Sequence, residues 1–134
     1  MKIYDVSRPI QVDMAVYKNK DFKKPSWRID TRYEDTTVNE SSLCMNLHTG
    51  THVDAPFHMI DGGTTMEDID LDLYMGRARL IDLSGVEEFI HKKDLEPHDI
   101  QPEERIIIRT RNSYSDEFDP NFVYIEEDAA AYLR

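Results

Sequence analysis

Three of the five histidines of this chain, His48, His52 and His58, fall within eleven residues, with Asp54 among them. Imidazole nitrogen and carboxylate oxygen are the usual ligands of catalytic zinc and similar cations. If His48, His52 and Asp54 reach one ion, at bonds of about 2.0 to 2.2 Å, three protein ligands leave a position open for water. Such an ion brings the pKa of its water to about 7 and polarises a carbonyl. Hydrolysis of an amide also needs a proton delivered to the leaving nitrogen. His58, four residues beyond Asp54, is the candidate for that transfer. The competing reading is a polar loop whose histidines only hydrogen-bond their surroundings.

The spacing limits how the backbone runs. A helix would place His48 and His52 on one face. Thr49, Gly50, Thr51 and Val53 are poor helix formers, however, and Pro56 obstructs continuation. A straight strand fails too, because four extended residues span roughly 13 Å, too far for a shared ion. The chain must bend between the two histidines, and Gly50 is the residue able to take an unusual backbone angle there. Beyond the bend, His52 and Asp54 are two positions apart and point the same way if extended. Pro56 biases Ala55 toward extended geometry as well.

The flanking elements are legible in outline. Residues 2–7 and 27–33 alternate as strands do, and residues 42–48 form a strand candidate leading into the histidine segment. Residues 13–26, lysine-rich and without periodicity, predict an exposed arm or loop. Asp61-Gly62-Gly63 is a turn, residues 65–75 suit one or two short helical turns, and residues 77–83 read as a strand closed by Ser84-Gly85. A short helix fits residues 92–96. Residues 104–110, with Ile106, Ile107 and Ile108 in succession, predict a strand buried on both faces. Residues 126–134 begin a helix with acids in its first turn.

Bulk properties narrow the partners. The chain has 134 residues, 40% hydrophobic and 32% charged, which suits a single domain with one core. A formal net charge of −11 disfavours nucleic acid and anionic membrane, both of which need a basic footprint. No run of about eighteen apolar residues suits a membrane span, and the N-terminus lacks a signal peptide's apolar core. A cytoplasmic location is expected. The single cysteine, Cys44, excludes an internal disulfide and reads as a small buried hydrophobe. His91 and His98 read as surface or hydrogen-bonded residues. Tyr17, Phe22, Trp27 and Phe57 could line an aryl pocket, or serve packing or subunit contact.

The segment His48-Thr49-Gly50-Thr51-His52-Val53-Asp54-Ala55-Pro56-Phe57-His58 resembles the signature His-x-Gly-Thr-His-x-Asp-x-Pro-x-His of the cyclase-like metal-dependent hydrolases. That family includes bacterial kynurenine formamidases and isatin hydrolases. Residues 4–10, 79–84 and 118–124 are similar to the family as well. The resemblance implies an α/β fold with a swivelling β/β/α, barrel-like arrangement, and assembly as homodimers or homotetramers. It implies zinc or manganese, two ions in complete members, held by His48, His52 and Asp54. Asp54 would bridge both ions and His58 would donate and accept the proton. The expected substrate is a small molecule with an amide, formamide or lactam carbonyl. Further family ligands, a His and a Glu, belong to a C-terminal region beyond Arg134. The expectation is therefore a single domain over 1–134, incomplete at its C-terminus and covering the N-terminal two-thirds of the fold. Such a chain would hold at most a weakened single-metal site, with low or absent activity. The alternative is a non-catalytic fragment or metal-binding protein of the same family.

Overall fold

The computed structural model describes residues 2–134. The chain falls into two compact units, Met1–Asp68 and Ile69–Arg134.

The first unit is built on an antiparallel hairpin of β1 (Ser26–Thr31) and β2 (Glu40–Cys44), with a register irregularity between Ile29 and Thr31. The single helical turn α1 (Tyr33–Thr36) joins them and ends on Thr37 in the left-handed region, at φ 72°. Alternation gives the hairpin two unlike faces. Trp27 stands opposite Leu43 in the register, with Ile29 on the same face. The other face carries Arg28, whose Nε donates to Asp30 at 2.6 Å, and Ser42, which also bonds Asp30. Strand β2 ends at Cys44, so the predicted strand over 42–48 stops four residues early. Asn46 supplies the reason: its Oδ1 accepts from His48 N at 3.0 Å and its carbonyl from Thr49 N at 3.1 Å. This Asn-built turn diverts the backbone from the ladder.

Three expectations for this unit are corrected. Residues 2–7 take no strand, because among the described residues no strand pairs with them. Cys44 is exposed, since a two-stranded sheet offers its side chain no covering layer. Residues 13–26 are not simply an exposed arm. They form two short 3-10 turns, Tyr17–Asn19 and Asp21–Lys23, and bury Met14 and Val16 to 8% and 4% exposure. Lys18 and Lys20 stay outside while the apolar pair at i and i+2 turns inward, a pattern too brief to stand out in the sequence.

The second unit carries the larger core. Strands β3 (Ala78–Asp82) and β5 (Arg105–Arg109) pair in parallel, with Leu80 opposite Ile107. Between them run β4 (Phe89–Ile90) and the turn of helix α2 (Lys92–Leu95). Strand β4 pairs in parallel with β6 (Tyr124–Ile125), which leads into α3 (Glu127–Leu133). Parallel pairing requires such crossovers, the α/β arrangement expected. Ile81, Leu83, Ile90, Leu95 and Ala129 form the core, with Ile106, Ile108 and Tyr132 packed against it. Ile81, Ile90 and Leu95 are each at most 2% exposed, and burying such a side chain contributes about 1.5–3 kcal/mol.

The strand over 105–109 is not buried on both faces. Ile106 and Ile108 face the core, but Ile107 is 44% exposed and its neighbour Leu80 60% exposed. Only one face of this pair is covered within the unit. Arginines brace the connections. Arg79 holds Glu104 in a two-point bridge at 2.6 and 2.7 Å and donates to the His98 carbonyl at 2.7 Å. Arg111 holds Asp119 at 2.6 Å and the Glu87 carbonyl at 3.0 Å. His91 Nδ1 lies 3.3 Å from Asp128, which also accepts from Lys92 N, so His91 is a hydrogen-bonded residue at the start of α2. No helix among the described residues is long and apolar enough to cross a membrane.

Candidate metal centre

The bend required between His48 and His52 is present. Gly50 has φ +75°, the left-handed region that glycine enters without steric cost. A Cβ on Gly50 would stand 3.3 Å from Met14 Cε, so the buried segment beneath also crowds this position. Past the bend, Ala55 is extended at φ −78°, ψ 158°, and Pro56 opens a 3-10 turn over Pro56–His58. Both features follow from proline: it restricts the residue before it and fits the first position of a helical turn. That turn swings His58 back toward the other side chains. The His58 N–H donates to the Ala55 carbonyl at 2.9 Å and Phe57 N to the Thr64 carbonyl at 3.1 Å, which ties the turn to the chain that follows.

Four side chains meet as a result. His48 Nδ1 is 2.8 Å from Asp54 Oδ1, and His52 Nε2 is 3.7 Å from the same oxygen. The His48 and His58 rings have centroids 4.0 Å apart, and those of His48 and His52 5.4 Å apart. His48, Asp54 and His58 each offer a ligand atom within 4.8 Å of the others. His52 approaches Asp54 but lies outside that tightest group. The side chains of His48 and Asp54 remain 36% and 46% exposed, so the site is open to solvent.

Hydrogen bonding fixes which nitrogen of His52 is available. Its Nδ1 lies 2.9 Å from the Gly50 carbonyl oxygen. A carbonyl only accepts, so Nδ1 carries the proton and Nε2 keeps the lone pair when the ring is neutral. Nε2 is the nitrogen on the Asp54 side. A histidine whose second nitrogen donates to a backbone carbonyl is the usual posture of a metal ligand. The donor set of imidazoles and one carboxylate thus fits a divalent cation.

Two residues that sequence reasoning did not single out hold this loop. Thr49, 4% exposed, donates its hydroxyl to the Lys23 carbonyl at 2.9 Å. Thr51 Oγ1 accepts from Arg8 N at 2.8 Å. Their partners lie 26 and 43 residues away, so no local pattern announces them. Of the aromatic candidates, Phe22, Trp27 and Phe57 are 75%, 60% and 58% exposed and Tyr17 is 44% exposed.

Residues 4–134 match the Cyclase family model, described as "Putative cyclase". The kynurenine formamidase of Bacillus mycoides (strain KBAB4) is 36% identical over 131 residues, covering 96% of this chain and 61% of its own length. That of Bacillus anthracis is 35% identical over 133 residues, covering 98% and 63%. A solved structure described as a potential metal-dependent hydrolase with cyclase activity superposes with a TM-score of 0.86 at 43% identity, over 98% of this chain and 62% of its own. A solved structure described as a predicted metal-dependent hydrolase from Bacillus stearothermophilus superposes with a TM-score of 0.82 at 44% identity, over 98% and 63%. The chain therefore spans about three-fifths of the length of the curated relatives it matches. With the family model covering nearly every residue, the chain belongs to the Cyclase family.

Proposed function

We propose that this protein is a divalent-metal-dependent hydrolase of amide, formamide or cyclic amide bonds in a small molecule, similar in activity to kynurenine formamidases. The observation that carries the reading is the convergence of His48, His52 and His58 on Asp54. The relatives named kynurenine formamidase support it for the substrate class. Zinc or manganese suits the mixed nitrogen and oxygen donors.

In this reading His48, His52 and Asp54 hold the cation. When bound, it supplies Lewis acidity toward the scissile carbonyl and lowers the pKa of water. The protein's own groups do the rest. The Gly50 carbonyl fixes the His52 ring through Nδ1–H, so that Nε2 points into the site. A ring nitrogen of His58, on the turn that follows Pro56, receives a proton from the attacking water and returns it to the leaving nitrogen.

A second reading assigns His58 as the third ligand in place of His52. The clustering of His48, Asp54 and His58 within 4.8 Å favours it. Homodimeric or homotetrameric assembly is part of the proposal, supported by the exposed apolar face of Trp27, Ile29 and Leu43 on the hairpin. A panel of aryl formamides, lactams and lactones tests the activity. Hydrolysis should stop on chelation and return with zinc or manganese. Turnover that survives complete removal of metal would overturn the proposal.

A further inference from the structure

The loop that carries His48 and His52 has one buried side-chain anchor. Thr49 stands between His48 and the left-handed Gly50, is 4% exposed, and donates its hydroxyl to the carbonyl of Lys23 at 2.9 Å. Among the described residues it is the only polar side chain classed as buried. Lys23 closes the 3-10 turn Asp21–Lys23. A carbonyl at the end of a helical turn lacks a partner within that turn, so it is free to accept from elsewhere. Met14 Cε fills the space beside Gly50, one residue along. The histidine loop thus rests on the Met14–Lys24 segment through one hydrogen bond and one apolar contact.

We propose that Thr49 is a positioning residue for the metal centre: its hydroxyl fixes the height of the loop, and with it the approach of His48 to Asp54. The inference rests on the metal-site reading above. Consecutive Cα atoms are about 3.8 Å apart, so a shift of the Thr49 backbone passes directly to His48. Metal sites tolerate displacements of only about 0.5 Å in their ligands. Without the hydroxyl, the Lys23 carbonyl loses its partner at a partly buried position, and the loop is free to lift toward water to satisfy it. The Asn46 turn fixes the local shape of the loop but does not join it to the rest of the unit. Thr49 does that, and Thr51 adds a second, exposed bond to Arg8 N.

Cobalt(II) titration of the full chain, followed by its visible absorption, is the test. Thr49→Val keeps the shape and removes the hydroxyl, while Thr49→Ser keeps the hydroxyl. Thr49→Val should weaken cobalt binding roughly 10–100-fold and alter the absorption band, with Thr49→Ser within about three-fold of wild type. The metal-free melting temperature of both variants should stay close to wild type. Wild-type affinity in Thr49→Val would overturn the inference and leave the metal site standing. A Thr49→Ser variant as weak as Thr49→Val would overturn it too, because the hydroxyl would then not be the cause. A Thr49→Val chain that melts far lower, or does not fold, would show that the bond supports the fold at large and not the site. Absence of any cobalt signature in the wild type would overturn the metal-site reading itself, and this inference with it.

Discussion

Nδ1 of His48 lies 2.8 Å from Oδ1 of Asp54, six residues further along, across a bend that only a left-handed Gly50 permits at low cost. The same oxygen is 3.7 Å from Nε2 of His52. Asp54 is therefore the point on which the loop converges, and its carboxylate is the one oxygen donor of the cluster.

Replacing Asp54 by Ala should lower zinc or manganese affinity by more than about 100-fold, beyond the 10–100-fold expected for groups that only orient a ligand. The melting temperature in chelator should barely change, because Asp54 is half exposed and outside the core. Isothermal titration calorimetry of wild type and variant measures this, with one ion per chain expected for the wild type. Undiminished affinity would remove Asp54 from the ligand set.

Replacing His58 by Ala separates the two readings of the cluster. If His58 transfers protons, metal affinity stays within about three-fold while turnover, measured in a chain spanning the relatives' full length, falls roughly 10²–10⁴-fold. If His58 is a ligand, affinity and turnover fall together. Calorimetry beside a hydrolysis assay distinguishes the two, and unchanged turnover would exclude His58 from both roles.

The bend at Gly50 and the extended Ala55 could be read from residue types, because glycine and proline act on their own backbone. The clustering of the His48, His52, Asp54 and His58 side chains was legible for the same reason: they lie within one short segment whose geometry is set locally. What holds that segment was not legible. Thr49 meets the Lys23 carbonyl and Thr51 meets Arg8 through pairings fixed only by tertiary folding. The burial errors have the same origin. Ile107 and Cys44 are apolar or weakly polar residues on strands, and their exposure depends on which sheet face another layer covers. Composition predicts strand there but carries no information about the covering layer. The strands over 77–83 and 104–110 could be read from their residue types, whereas β4 and β6, two residues each, are too short for any periodicity.

Gly50→Ala tests the bend directly. An L-residue held in the left-handed region costs about 1–2 kcal/mol. The new Cβ would press on Met14 Cε at 3.3 Å, a flexible thioether end that yields at small cost. Urea unfolding should show a loss of about 1–2 kcal/mol in the variant, accompanied by weaker metal binding. Gly85→Ala, whose Cβ would meet nothing within 4 Å, is the control and should change neither. A Gly50→Ala chain with native stability and native metal affinity would mean that the bend does not require glycine.

The last prediction concerns acid. Arg79 grips Glu104 at two points, and this hydrogen bonding, helped by the Gln101 N–H, holds the Glu104 carboxyl below the usual glutamate range. A carboxyl whose folded pKa is depressed contributes stability that is present above its unfolded value, about 4.3 for Glu, and is lost as pH falls through the lower folded value. Glu104→Gln removes the charge and keeps the shape. At neutral pH the variant should melt below wild type, since Arg79 loses its partner between the β5 approach and the His98 turn. Below about pH 4.3 the gap should narrow, and it should close once Glu104 of the wild type is itself protonated. Melting curves of both proteins across neutral to acidic pH measure the gap. A gap independent of pH would assign the role of Glu104 to packing instead of charge.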